Sequence, residues 1–394
     1  MAIKDVALLS GVRTGIGAFG GGLKDVAPTA LAAACVRGAV ERAGLDPKAV
    51  GHAVFGNVIH TEARDMYLSR VAAVEGGLPV DVPALTLNRL CGSAMQAIVS
   101  AAQMIMLGDV ECAVAGGAES MSRSGYMLPA LRWGQRMSDA VAVDAMVGAL
   151  TDPFGHGHMG MTAEAVAKRY GISRGDQDAF AVESHRRAAA AWADHRFDDQ
   201  IVPIEVKSRK GTVSFAQDEH IRTGVSLEDM AKLRPAFSKE GSVTAANASG
   251  LNDAAAAVTL MDADLAAQRG LKPLAVIRGY AHTGVEPEVM GIGPISAVRK
   301  ALERAGLKVA DLDVIESNEA FAAQALAVAR ELNLPAERTN PNGGAIALGH
   351  PIGATGAIIV VKALHELART GGRYGLATMC IGGGQGIALV LERI

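Results

Sequence analysis

The chain carries the same unit twice. Ala39-Val40-Glu41-Arg42-Ala43-Gly44-Leu45 returns as Ala301-Leu302-Glu303-Arg304-Ala305-Gly306-Leu307. Ala53-Val54-Phe55-Gly56-Asn57 falls opposite Val314-Ile315-Glu316-Ser317-Asn318, and Ala113-Val114-Ala115-Gly116-Gly117 opposite Met379-Cys380-Ile381-Gly382-Gly383. Glu41 and Glu303, Asn57 and Asn318, and Gly117 and Gly383 are separated by 262, 261 and 266 residues. Three segments in one order at nearly constant separation mark an internal duplication. The fold therefore has two related halves, with a site expected where they meet.

Composition narrows what each half is made of. Hydrophobic residues make up 49% of the 394 and aromatics only 4%, with 46 glycines. That mixture suits Ala/Gly/Val-rich helices packed closely on sheets, an α/β arrangement rather than a β-sandwich. The length allows two or three domains with large cores. A net charge of −3 supplies no global basic field for nucleic acid or an anionic membrane. Any anionic ligand must be held by local positive groups. The four cysteines, Cys35, Cys91, Cys112 and Cys380, are far apart with no CxxC pair, which argues against a disulfide framework or a zinc site and for a reducing compartment. Met1-Ala2-Ile3-Lys4-Asp5 leads into a strand without leader features, and Leu391-Glu392-Arg393-Ile394 is not a peroxisomal address. No apolar run reads as a clean bilayer span. The expectation is a soluble cytoplasmic protein without nucleic-acid or membrane partners.

Along the chain, Val6–Ser10 reads as a first strand. Gly15-Ile16-Gly17-Ala18-Phe19-Gly20 matches GxGxxG, but more glycines and Leu23-Lys24-Asp25 follow before Pro28. No helix opens on the third glycine as a dinucleotide fold requires, so this reads as a connection. A helix over Ala30–Ala43 ends at Gly44, and the strand His52–Val58 follows. Residues 121–250 break the duplicated pattern. Met121–Leu150 is rich in Met, Ser, Gly and Arg. Helices over Thr162–Tyr170 and Arg174–Trp192 follow, then a charged stretch at Lys207-Ser208-Arg209-Lys210. An excursion of this kind from a rigid scaffold carries ligand or subunit contacts.

Cys91 lies in Asn88-Arg89-Leu90-Cys91-Gly92-Ser93-Ala94-Met95. Val82–Leu87 before it reads as a short strand. Gly92–Leu107 after it reads as a helix apolar almost all round, and such a helix is buried. Cys91 thus falls at a strand-to-helix turn, where free N–H groups and the helix dipole stabilise a thiolate or bind an oxyanion. A buried cysteine is equally a small core residue, and this stretch alone leaves both readings open. His350, in Gly349-His350-Pro351-Ile352-Gly353, occupies a similar place before the helix Ala354–Arg369. Cys380 ends a strand before Gly382-Gly383-Gly384, where backbone N–H groups can approach a ligand. A cysteine needs a base at neutral pH, and histidine is the usual one. A second cysteine could move a proton to or from carbon.

Asn88-Arg89-Leu90-Cys91-Gly92-Ser93, Asn318-Glu319-Ala320-Phe321-Ala322, Gly349-His350-Pro351-Ile352-Gly353 and Cys380-Ile381-Gly382-Gly383-Gly384 together resemble the four motif blocks of the thiolases. The resemblance spans the whole chain and is strongest to bacterial acetyl-CoA acetyltransferases and β-ketothiolases. It implies a five-layered αβαβα core of two duplicated halves with an inserted loop domain. The N-terminal half would comprise residues 1–120 and 251–273, the loop domain 121–250 and the C-terminal half 274–394. Coenzyme A would be substrate and product rather than a resident cofactor, and no metal is implied.

The same resemblance implies that Cys91 takes the acyl group, activated by His350, and that Cys380 exchanges the α-proton of a second acetyl-CoA. Asn318, through a water, and His350 would hold one oxyanion, and the N–H groups of Cys91 and Gly382 the other. His158 would touch the second thioester, Ser249 the pantetheine arm, and Arg222 the adenosine-phosphate end. Phe237 would line the same channel, Met159 and Met290 would bound the acyl pocket, and Phe321 lies within a motif block. Each has a plainer reading: a surface His158 (or a chance pair with His156), Ser249 as a helix cap, a solvated Arg222, core aromatics at Phe237 and Phe321. Cys35 reads as core, and so does Cys112, placed mid-strand. Ala246 stands where many relatives have glycine, and Ser317 where they have alanine, which bears on packing near Ser249.

The implied activity is reversible Claisen condensation of acetyl-CoA with a short acyl-CoA, in a homotetramer. His60-Thr61-Glu62-Ala63-Arg64-Asp65-Met66-Tyr67 resembles the matching segment of β-ketothiolases that also accept propionyl-type partners. A degradative 3-ketoacyl-CoA thiolase of wider chain length is the alternative. A ketosynthase-like enzyme would lack the second cysteine, so Cys380 speaks against it. A catalytically silent scaffold would have lost Cys91 or His350.

Overall fold

The computed structural model describes residues 4–208 and 211–394; Met1–Ile3 and, of the charged stretch, Arg209 and Lys210 lie outside it. Nine strands make the frame. In the first half the spatial order is Ala84–Leu87, His52–Gly56, Cys112–Ser120, Asn252–Asp262, Val6–Arg13. The first three run parallel, and Asn252–Asp262 pairs antiparallel with both Cys112–Ser120 and Val6–Arg13. A strand from beyond the insertion thus fills the centre of the first sheet, so the excursion of 121–250 leaves and re-enters one layer. In the second half Ala275–Gly284, Gln385–Glu392, Tyr374–Ile381 and Val314–Ser317 follow in that order.

The two sheets are not separate. Ala7 and Leu8 pair with Val276 and Ala275, so one hydrogen-bonded path runs through all nine strands. The layering still follows the resemblance. Pro28–Arg42 and the short helix Leu68–Glu75 cover the outside of the first sheet. Gly293–Ala305 covers the outside of the second. Between the sheets lie Ser93–Leu107 and Thr355–Thr370, packed on each other. Ser93–Leu107 is apolar on nearly every side because it faces a sheet and a helix, whereas Thr355–Thr370 also carries Lys362, His365, Glu366 and Arg369. Ser93–Leu107 buries Ala94, Met95, Ala97, Ile98, Val99, Ala101, Ala102 and Ile105. On Thr355–Thr370 the side chains from Thr355 through Leu364 are all buried. At about 25 cal/mol per Å² of apolar surface, this layer is a large part of what holds the halves together.

Two expectations need correcting. The segment Leu90–Leu107 does have the length and apolar composition of a membrane span, but it is apolar because it is the core of the middle layer. Cys112 is not mid-strand; it opens its strand, and it is buried. The connection at Gly15–Gly20 holds only a two-residue strand, Gly17–Ala18, paired with Asn252–Asp253. The next helix starts at Pro28, so the GxGxxG match has no helix to open.

The insertion packs on the scaffold through polar anchors. Arg13, fully buried, pairs bidentately with Asp218 at 2.8 and 3.1 Å, and Trp192 Nε1 donates to the same carboxylate at 3.0 Å. Residues 126–141 do the opposite: Tyr126, Met127, Leu131, Met137 and Val141 are exposed, and Trp133 is 91% exposed.

Candidate active site

Close approach of backbone brings the four motif blocks to one place. Gly356, in the first turn of Thr355–Thr370, lies so near the Met95 backbone that a Cβ there would collide with it. The two middle helices therefore meet at their N-termini, and His350 and Cys91 each sit just upstream. Gly92 abuts the Ile381 side chain in the same way, which sets Cys91 beside the Cys380 loop.

The turn holding Cys91 is built by its neighbours. Asn88 Oδ1 accepts from Leu90 N at 2.8 Å. Ser93 Oγ accepts from Arg89 N at 2.9 Å and donates to Leu90 O at 2.6 Å. These bonds hold Leu90 at φ +47°, a conformation that costs a leucine about 1 kcal/mol or more. The strained residue directly precedes the partly exposed Cys91. The Cys91 sulfur receives the backbone N–H groups of Gly382 and of Cys91 itself, yet burial outweighs both and pushes the thiol up to about 11. The helix N-terminus alone does not make a thiolate here; Cys91 rests protonated and needs a base. The Cys380 thiol is raised further, first by burial and then by the nearby Cys91.

His350 is 5% exposed. Asn252 Oδ1 accepts its backbone N–H at 2.9 Å, and its Nδ1 lies 2.7 Å from Thr355 Oγ1. Its Nε2 is buried without a partner among the described residues. Burial lowers its pKa to about 4, so the ring is neutral at pH 7 and has a nitrogen to offer. Asn318 follows the strand Val314–Ser317, its N–H donating to Thr378 O at 2.9 Å, two residues before Cys380. Both polar atoms of its side-chain amide are buried and have no partner among the described residues. Unpaired buried polar groups cost about 1–3 kcal/mol each, and so many around two cysteines mark a place where a ligand or water completes the bonding.

Met159, Met290, Phe321, Ala248 and Cys380 form one apolar cluster, with Phe237 packed on it. Met159 Cε and Leu90 Cδ1 come within 3.2 and 3.3 Å of where a Gly382 side chain would begin. Apolar side chains thus lie over Gly382, whose N–H reaches the Cys91 sulfur. His158 is not a loose surface residue: its ring stacks on Phe237 with centroids 4.9 Å apart. Its Nδ1 accepts from Gly160 N at 3.1 Å, which leaves the proton on Nε2 as a donor. Ser249 caps no helix. Its N–H donates to Ala320 O at 3.0 Å, stitching the insertion to the Asn318–Phe321 block. Arg222 is exposed, on a cavity of about 350 Å³ that Ala246 and Ala248 also line and whose lining includes neither Cys91 nor Cys380. Among the described residues no group of three or more His, Cys, Asp or Glu is placed to hold a metal.

Sequence reasoning missed four supporting residues: Leu90 as a strained turn residue, Thr355, Asn252 and Glu119. Glu119 was findable as the lone acid in an apolar strand. It is buried and accepts from Asn57 Nδ2 and from the N–H groups of Val58, Ile59 and Gly353.

The profile for the thiolase N-terminal domain matches residues 6–264, and that for the C-terminal domain residues 271–393. The beta-ketothiolase BktB of Cupriavidus necator is 64% identical over 392 residues, covering 99% of this chain and 100% of its own. The crystal structure of the Bacillus anthracis acetyl-CoA acetyltransferase superposes with a TM-score of 0.98 at 47% identity, covering all of both chains. Human mitochondrial 3-ketoacyl-CoA thiolase in complex with CoA gives 0.96 at 42% identity, covering 100% of this chain and 99% of that one.

Proposed function

This chain belongs to the thiolase family and is an acyltransferase, and from that premise we propose the roles of its residues. The reaction is the reversible Claisen condensation of acetyl-CoA with a short acyl-CoA, through an acyl-cysteine. His350 Nε2 takes the Cys91 proton as Sγ attacks the acetyl thioester, and returns it to the departing CoA sulfur. The proton of Cys380 then passes to His350, and the Cys380 thiolate removes the α-proton of the second acetyl-CoA. The enolate attacks acetyl-Cys91, and the released Cys91 thiolate recovers its proton from His350. Thiolysis runs these steps backwards. Asn318, through a water, and His350 Nε2–H face the enolate oxygen. The N–H groups of Cys91 and Gly382 face the oxygen of the acyl-cysteine.

The observation that carries this assignment is the set of bare polar atoms, His350 Nε2 and the Asn318 amide, buried beside two protonated cysteines. His158 Nε2–H meets the second thioester, Ser249 the pantetheine arm and Arg222 the adenosine phosphates, with Phe237 and Phe321 along the channel. Met159 and Met290 close the acyl pocket to bulky chains. The exposed apolar arm around Trp133 supports assembly with further copies of the chain as a homotetramer, and we place the enzyme in the cytoplasm.

The test is CoA-dependent thiolysis of acetoacetyl-CoA, 3-ketopentanoyl-CoA and a long-chain 3-ketoacyl-CoA, with intact-mass detection of an acetylated protein. Cleavage of the short substrates, with both activity and adduct lost in Cys91→Ala, is the expected result. Preference for the long chain would move the enzyme to the degradative thiolases. No cleavage of any would overturn the reading.

A further inference from the structure

His350 Nδ1 sits 2.7 Å from Thr355 Oγ1, and that hydroxyl is itself 3.0 Å from Pro351 O, with all three groups buried. A hydroxyl has one proton to give and lone pairs to accept with. If its proton goes to the Pro351 carbonyl, the oxygen accepts from Nδ1–H, and the lone pair of the ring is left on Nε2. We propose that Thr355 is a positioning residue: it keeps a proton on His350 Nδ1 throughout the cycle, so that Nε2 alone carries the mobile proton between Cys91, CoA and Cys380.

The inference rests on the function proposed above and adds why the partner is a hydroxyl. The neutral ring must accept at Nε2 in acyl transfer. The imidazolium must donate from Nε2 to the enolate oxygen that forms as the Cys380 thiolate takes the α-proton. Both states carry a proton on Nδ1, and one acceptor there serves both. A carboxylate in that place would favour the imidazolium and hold the resting ring charged. A hydroxyl accepts without adding charge, and the charged groups of the neighbouring elements leave burial as the single cause of the lowered His350 pKa. Glu119, whose carboxyl group bonds Gly353 three residues beyond His350, is spent on that N–H and the Asn57–Ile59 loop. The two cysteines assigned to exchange protons with the ring rest as neutral thiols.

Two measurements test this. In the unmodified enzyme labelled with ¹⁵N-histidine, the His350 resonances, assigned by their absence in His350→Asn, should show a protonated Nδ1 and a bare Nε2 at pH 7. The reverse tautomer would overturn the proposal whether or not the enzyme cleaves acetoacetyl-CoA, so this readout is separate from the functional assignment. Thr355→Val, close in volume but without the acceptor, should lower kcat for thiolysis by about 100-fold with KM for CoA changed by less than about threefold. Thr355→Ser should recover most of kcat. A Val variant with undiminished kcat, or a Ser variant that falls as far as Val, would overturn it.

Discussion

Glu119 Oε2 accepts the N–H of Gly353 at 2.9 Å, three residues beyond His350, while the same carboxylate holds the Asn57–Ile59 loop of the first half. One buried side chain thus fixes the histidine loop of one half to a strand end of the other. Glu119→Gln places an amide N–H against donors and should cost about 1–3 kcal/mol in urea unfolding, with a loss in kcat larger than any change in KM. A variant with wild-type stability and kcat would show the clamp to be idle.

Cys91 with its thiol pushed up to about 11 and His350 held at about 4 rest as a neutral pair. The rate of iodoacetamide alkylation of Cys91 should therefore climb about tenfold per pH unit from pH 7 toward 10. A plateau near neutral pH would mean a resting thiolate–imidazolium pair instead.

The same low His350 value has a stability consequence. Its pKa falls from 6.5 to about 4 on folding, so the unfolded chain takes up the proton first as pH drops. Stability contributed by the neutral ring is whole above pH 6.5 and is lost progressively toward pH 4, by at most about 3 kcal/mol. Unfolding free energies of His350→Gln should fall less steeply than wild type across that window; equal slopes would contradict the assignment.

Lys362 donates to Glu316 Oε2 and to Gly343 O, each at 2.6 Å, in the interior between the middle layer and the second sheet. Removing one partner leaves a buried charge alone. Lys362→Met should destabilise by about 3–5 kcal/mol, and adding Glu316→Gln should recover much of that. Additive losses in the double variant, measured by denaturant titration, would rule out coupling.

Arg222 lines a cavity whose lining includes neither Cys91 nor Cys380. Arg222→Ala should raise KM for acetoacetyl-CoA about fivefold, the worth of roughly 1 kcal/mol from an exposed charge. It should leave turnover of an acetoacetyl thioester of N-acetylcysteamine, which has no phosphates, unchanged. An equal effect on both substrates would place Arg222 elsewhere in the mechanism.

Much of this was legible in the chain itself. Cys91, His350, Cys380 and Asn318 could be named because each lies in a short, dense motif at a strand or helix end. The burial of Ser93–Leu107 could be read from its lack of a polar face. The plainer readings of His158 and Ser249 were harder to dismiss, since a ring stack on Phe237 and a bond to Ala320 join residues far apart in the chain.

The sequence by itself determined the duplication and the α/β class, because these depend on residue type and local period, and its motif blocks supplied the candidates for the reacting groups. Tertiary structure alone decided how those groups are charged and aimed. Burial raises Cys91 to about 11 against two backbone N–H groups, the opposite of what its place beside a helix N-terminus suggests. Thr355, Asn252 and Glu119 gain their roles only when two halves close over a shared layer, where desolvation is strong and a single hydrogen bond settles which nitrogen is free.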